Sequence, residues 1–391
     1  MNFTIPGKAK NAFLALIGVG IISLVVNFLV DPDRAWSNLL INAFWYTTIA
    51  LAGTFFIAVH YVGEGGWHTA FKRVPEAMSQ YFPIGALFLL VVTLAGYLHL
   101  NHTWHWLDPE FQANDVIYNS SWKSTWLNSE FWLARILVYL AGWFFFINKL
   151  RGFSLKEDIE GGMSWHKKSY QWSAAFLVFF AVTSSTSAWD FLMSIDPHWF
   201  STLYGWYVFA GFWVSALTFM LLITVYLKKN GYLPNVNQSH IHDLAKMMFA
   251  FSIFWTYLWF SQYMLIWYSN IPEEINYFLE RFHTPYKPLM LLMLVCNFVF
   301  PLIVLMHRDA KRNYNLVMVS GAVILLGHLM DLFQMVMPGS LGRFVQFGLM
   351  DIGVSLGFLG LFLFFTFRAL ASAPLTAQNH PFLGESKHHA I

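Results

Sequence analysis

The stretch Thr183-Ser-Ser-Thr-Ser-Ala-Trp-Asp-Phe-Leu-Met-Ser-Ile-Asp-Pro-His-Trp-Phe-Ser-Thr-Leu-Tyr-Gly205 decides how the chain is read. It begins inside a long apolar run and ends in a tight, aromatic-rich connection to the next one. Asp190 lies within the apolar element. An Asp at the middle of a membrane helix costs about 2.5–3.5 kcal/mol, less toward the ends. Such a residue needs a partner or a task. Thr183, Ser187, Asp190 and Ser194 follow i, i+4, i+7, i+11 spacing, which places them on one helix face. At 1.5 Å per residue that polar stripe covers roughly 16 Å, about half a bilayer core. Asp196-Pro197-His198 ends the helix and sets two titratable groups at the membrane surface.

Working outward, 57% of residues are hydrophobic, 19% aromatic and only 11% charged. Soluble domains carry about 25% charged residues. Mean hydropathy is +0.50. The composition is that of an all-α polytopic membrane protein whose first partner is the lipid bilayer. The net charge of +2 says little about partners. A single cysteine, Cys296, excludes an intrachain disulfide framework, an all-cysteine iron–sulfur site and a C-x-x-C-H haem attachment. There is no phosphate-binding glycine loop or nucleotide fingerprint, and no nucleic-acid partner is expected.

Ten apolar runs are long enough to span a bilayer. They lie near Ala12–Val30, Leu39–Val62, Phe82–His99, Ser129–Asn148, Tyr170–Met193, Leu203–Leu227, Asp243–Tyr268, Tyr286–Met306, Leu316–Val336 and Phe347–Leu370. The first follows Lys8 and Lys10 without a small-residue cleavage pattern and reads as a retained anchor. The tails and the loops after the second, fourth, sixth and eighth runs hold sixteen of the 23 Lys and Arg residues. The opposite loops hold five: Arg34, Lys123, Arg281, Lys287 and Arg343. The asymmetry predicts cytoplasmic termini and puts Asp190–Tyr204 on the outer face. The fifth and ninth runs echo each other, with Pro197 seven residues after Asp190 and Pro338 seven residues after Asp331. The expected organisation is a tail and peripheral helix over residues 1–38, a four-helix bundle over 39–200, a second over 201–340, and a peripheral helix with a cytoplasmic tail over 341–391. The tail after residue 371 is polar and is expected to be mobile.

Intramembrane ionisable groups are the candidate site. The outer set is Asp190, Asp196, His198, Arg135, His328, Asp331 and Asp351; Arg135 needs a carboxylate partner within the bundle. It reads as a proton or quinol-headgroup site, or as interhelical pairs that fix the bundle. The inner set is His60 with Glu64, spaced i, i+4, and His242, Asp243 and Lys246, with Lys246 the deeper. It reads as interfacial anchoring or proton entry. Thr183, Ser187, Ser252, Thr256, Tyr263 and Asn297 form a mid-membrane polar set that serves either a water wire or helix contacts. Pro301 leaves the Asn297 carbonyl without its helical donor. His99, His102 and His105 sit in the long loop Asn101–Asn128 or at its edge, where Trp104 and Trp106 suit an interfacial belt. No metal ligand and no catalytic residue is assigned, and cofactor-binding residues stay unassigned.

Two segments together carry a resemblance: Trp189–Gly205, quoted above, and Phe260-Ser-Gln-Tyr-Met-Leu-Ile-Trp-Tyr-Ser-Asn-Ile-Pro-Glu-Glu274. They resemble signatures of the alternative complex III membrane subunits, in the polysulfide reductase (NrfD-like) membrane subunit family, and are most similar to the second, smaller of the two such subunits. The resemblance implies an inner-membrane subunit of a bacterial respiratory complex that oxidises quinol and reduces cytochrome c or a terminal oxidase. It implies that this chain holds no cofactor, with haem c and iron–sulfur clusters in partner subunits, a homologous membrane subunit alongside, and menaquinol or ubiquinol nearby. Asp190 and Asp331 carry over as proton-path residues. The alternatives are a quinol-binding subunit proper and a stand-alone secondary transporter.

Overall fold

The computed structural model describes residues 3–119, 122–283, 285–342 and 345–390. Arg343, counted above among the outer basic residues, lies outside them. The chain is 82% helical, with no strand among the described residues. It is an all-α polytopic membrane protein. Ten long helices carry the fold: α1 Gly7–Val30, α2 Pro32–Val62, α3 Arg73–Tyr97, α4 Ser129–Glu160, α5 Met163–Phe191, α6 Tyr204–Lys229, α7 Gln238–Ser269, α8 Tyr286–Leu305, α9 Tyr314–Leu341 and α10 Leu349–Ala371. Among the described residues, nine of these are both long and apolar enough to cross a membrane. The other, α7, has 32 residues; Trp, Tyr, Ser252 and Gln262 lower its hydropathy without shortening it.

Local chemistry sets the helix starts. Asp31 accepts from the Arg34 amide at 3.1 Å with Pro32 beginning α2, Asn128 accepts from Phe131 at 3.1 Å, and Asn237 accepts from Ser239 and His240 at 2.9 and 3.2 Å. Each satisfies amides that the first helical turn cannot. Gly161 and Gly162, both at positive φ (67° and 78°), turn the chain between α4 and α5. The run expected from Phe82 begins earlier, at Arg73, through a 3₁₀ turn at Ser79–Tyr81. The break that Pro301 was expected to leave is absorbed as a π-helical turn, Val295–Val299.

α2 packs against α3, α5, α6 and α9, and α4 pairs with α5. On the other side α6 packs against α7 and α9, and α8 against α9. α2 and α6 are the inner helices, buried along most of their length. α1 lies along α10, and both terminal helices touch α2. Phe3 packs on Tyr232 and Phe367, so both termini lie at the end of the molecule where α6 and α10 finish. Gly20 and Gly357 meet where α1 crosses α10, and a Cβ on either would strike the other's backbone. Small residues of this kind let membrane helices approach closely. Gly357→Leu is expected to cost about 1–3 kcal/mol by overpacking and to part α1 from α10, read as new protease access to α1 in a detergent-solubilised sample.

Candidate functional site

Three buried polar centres occupy this frame. The first lies near the last turn of α5. Arg135, one to two turns into α4, grips Asp190 through Nε at 2.9 Å and a terminal nitrogen at 2.7 Å. The carboxylate also accepts from the Tyr139 hydroxyl at 2.8 Å and the Trp126 indole at 3.1 Å. Trp126 and Phe131 cover the guanidinium, with its carbon 4.1 and 4.4 Å from the ring centres. This is the carboxylate partner Arg135 was expected to need. The stripe above it is less continuous than its spacing predicts. Thr183 accepts from the Trp143 indole at 2.9 Å, Ser187 turns back to its own helix, and Ser194 lies past the helix end, donating to the Asp190 carbonyl at 2.7 Å.

The second centre repeats the first with one part missing. Asp331, in α9, accepts from the Tyr207 hydroxyl and from the Trp255 indole at 3.1 Å. It has a tyrosine and a tryptophan, like Asp190, but no cation pairs with it among the described residues. His328, one turn away, is buried against the Trp255 ring, and neither of its ring nitrogens has a hydrogen-bond partner among the described residues. Asn297 projects from the π-turn of α8 against Gly327 with both amide atoms unpartnered. Arg281, from the helix Pro272–Phe282, donates to the Gln334 carbonyl at 2.9 Å and to that of Met335 at 3.2 Å. Pro338, four residues after Gln334, has no amide hydrogen to give that carbonyl, and Arg281 takes its place.

The other outer candidates do not join these two centres. Asp196 pairs with Arg281 at 3.3 Å. His198 is 43% exposed and pairs with Asp115 of the long loop at 3.0 Å. Asp351 is held by Arg34 at 2.7 Å, by Asn38 at 2.8 Å and by the Gly348 amide, a set of bonds that fastens the start of α10 to α2. The long loop lies over the end of α5. Trp104 and Trp106 are buried there against Trp132, which corrects their assignment to an interfacial belt. The side chains of His99, His102 and His105 stay exposed. The two sequence segments that carried the resemblance touch: Trp199 donates to the Glu274 carbonyl at 3.1 Å and stacks on Tyr277 at 3.9 Å.

The inner set departs further from expectation. Glu64 lies beyond α2 at φ 48°, exposed, so it does not share a helix face with His60. His60 instead meets its own helix carbonyl, Phe56, at 2.7 Å, and the ring of His68. Lys246 is 55% exposed and reaches Asp243 at 3.1 Å. The charges buried at this end are others. Lys72 and Arg73, two of the sixteen basic residues counted in the tails and inner loops, are buried. Lys72 bonds the Tyr61 hydroxyl at 2.6 Å and Glu157 at 3.4 Å. Arg73 pairs with Glu76 and Asp158. Ser154 donates to Glu76 at 2.6 Å, and Arg151 stands 3.9 Å from the same carboxylate. Burial opposes the charge on Lys72, but Tyr61, Glu76 and Glu157 outweigh it and raise its pKa. Burial, helped by the neighbouring His60, His380 and Lys72, pushes His68 well below the usual histidine range.

The tail, expected to be mobile, is docked across this end. Asn379 donates to the Asp158 carbonyl at 2.8 Å. Ser386 donates to the Trp67 carbonyl at 2.6 Å and accepts from the Ala70 amide at 2.9 Å. His389 reaches Asp243 at 2.8 Å, and its carbonyl accepts from Asn237 at 2.6 Å. One signal for this third centre was legible in sequence: Lys72-Arg73-x-x-Glu76 places opposite charges three and four residues apart, a pairing that only a helix start creates. Glu157, Asp158 and the tail partners carried no such signal. No family model matches this chain, and neither does any curated protein.

Proposed function

We propose that this chain is an integral subunit of a quinol-oxidising respiratory complex in a bacterial cytoplasmic membrane, with both termini cytoplasmic, which scaffolds partner subunits and conducts protons through the bundle of α6–α9. Haem c and iron–sulfur clusters reside in the partners, beside a homologous membrane subunit. The observation that carries the proton reading is the contrast between the two buried carboxylates. Asp190 has its charge met by a two-pronged arginine, a tie that stabilises geometry. Among the described residues Asp331 has only neutral donors, so its carboxyl group holds either a proton or an uncompensated charge, the condition under which an intramembrane carboxyl serves as a proton relay. His328 and Asn297 add unpartnered polar atoms on the same path toward the inner end. The relay would be driven by redox events in the neighbouring subunits.

The test is proton translocation by the reconstituted complex. Asp331→Asn, which keeps the shape and the acceptor oxygen, is expected to lower the proton-to-electron ratio while quinol oxidation continues. An unchanged ratio in Asp331→Asn overturns the path. A chain that purifies without haem-bearing partners and still catalyses transport would instead be a stand-alone transporter.

A second reading rests on a specific observation. A cavity of about 150 Å³ is walled by Trp122, Trp126, Trp189, Asp196, Trp199 and Phe200, and Trp126 separates it from Asp190. Flat aromatic walls suit a quinol headgroup, with Asp190 or His198, both just outside the lining, as the proton acceptor. Of these two, Asp190 is engaged by Arg135 and His198 by Asp115, which favours the proton-path reading. Quinone bound in this cavity in the isolated complex would reverse that preference.

A further inference from the structure

The docked tail brings together three groups that lie far apart in sequence: Glu157 at the end of α4, His166 in the first turn of α5, and His380 in the tail. One ligand atom from each lies within 4.8 Å of the other two, and all three residues are buried. Among the described residues, neither ring nitrogen of His166 has a hydrogen-bond partner, nor do Nε2 of His380 and Oε1 of Glu157; His166 Nδ1 and Glu157 Oε1 face each other at 3.8 Å, an ion pair only when the histidine is protonated. The other Glu157 oxygen is occupied by Tyr61 at 3.3 Å and Lys72 at 3.4 Å, so Oε1 is the one left to face the histidines. Buried polar atoms without hydrogen bonds cost free energy, and one from each of the three residues converges here.

We propose that Glu157, His166 and His380 bind a divalent transition-metal ion, Zn²⁺ being the best fit, and that the ion staples the C-terminal tail to the ends of α4 and α5. Two imidazoles and one carboxylate are a known zinc donor set, with bonds of about 2.0–2.2 Å and the fourth position left to water. Closing the present spacing onto such an ion takes side-chain rotations of about an ångström. His380 has two settings. As it stands, Nδ1 accepts from the Phe382 amide at 3.2 Å. With the hydrogen moved to Nδ1, that atom faces the Thr69 hydroxyl at 3.5 Å as donor, and Nε2 presents a bare lone pair. A metal on Nε2 requires the second setting, which takes the acceptor away from the Phe382 amide, so the turn at Phe382 must shift for Thr69 to orient the ring. Lys72 and Arg73 oppose a cation here, while Glu76 and Asp158 offset them. Two imidazole donors and a single carboxylate disfavour Ca²⁺ and Mg²⁺, which need several oxygen ligands, and suit a transition-metal ion. The inference stands apart from the proposed respiratory role.

The experiment is metal binding to the full-length chain in detergent, with Zn²⁺ measured by equilibrium dialysis and Co²⁺ absorption reporting coordination geometry. One equivalent is expected. His166→Ala and His380→Ala should each weaken binding by more than the roughly 10–100-fold that an outer partner alone is worth. Glu157→Gln should weaken it too. His198→Ala, at the exposed pair on the other end, should leave it unchanged and serves as the control. Zn²⁺ should also slow proteolysis of the tail in the unaltered chain and not in His166→Ala. Because His380→Ala lies in the tail, it keeps the test meaningful even if the helix variants misfold. Stoichiometric binding that survives His380→Ala, or an absence of tight binding by the unaltered chain, overturns the proposal.

Discussion

Arg135→Met is expected to destabilise the chain by about 3–5 kcal/mol, the usual cost of removing one partner from a buried ion pair. The reason is the company Asp190 keeps. Its charge is met by two guanidinium bonds at 2.9 and 2.7 Å. Tyr139 and Trp126 remain in the variant, but neither carries a positive charge. The aromatic cover over the guanidinium, from Trp126 and Phe131, would pack on methionine, so shape is largely kept and charge is what changes. Removing the carboxylate as well, in Arg135→Met with Asp190→Leu, should return most of the loss, since a buried pair is often replaceable by apolar groups of like volume. Denaturant titrations of the two variants in detergent check this. Equal instability in single and double variants would mean that the pair is not the source of the effect.

The second large effect is expected at the opposite end of the molecule. Glu76 sits among Lys72, Arg73 and Arg151, with Ser154 donating to it at 2.6 Å. Glu76→Gln leaves three buried cations facing two remaining carboxylates, Glu157 and Asp158, and should cost about 3–5 kcal/mol on the same ground. Arg151 has the longest of these contacts, at 3.9 Å. Adding Arg151→Gln to Glu76→Gln restores the balance of charge and should recover much of the stability. The tail reports the outcome separately, because Gln378 and Asn379 both bond Asp158. If Arg73 loses Glu76, Asp158 is pulled inward and the tail should become accessible to protease before the bundle melts.

These expectations divide along a physical line. Long apolar runs read as helices because a bilayer leaves no other way to satisfy backbone groups, and the ten runs became ten helices on that ground alone. Arg135 and Asp190 were legible for the same reason: each charge in an apolar run demands a partner. Asp331 was legible through its echo of Asp190. The limits were also physical. A hydropathy pattern carries no information on whether a basic residue at a run's edge faces water or another helix. Lys72 and Arg73 therefore counted as inner-loop charges although they are buried. Glu64 lost its place beside His60 because the helix stopped short of it at φ 48°.

From the sequence by itself came the helices and the cost of charges set within them, since both follow from local composition. Tertiary structure alone decided which charges meet. It gave Asp190 an arginine and left Asp331 with a tyrosine and a tryptophan, although the two carboxylates sit in similar sequence settings. It also folded a polar tail over the helix ends and brought His380 to Glu157 and His166. Contacts between residues so distant in the chain depend on how helices pack, and side-chain periodicity within one helix does not record its neighbours.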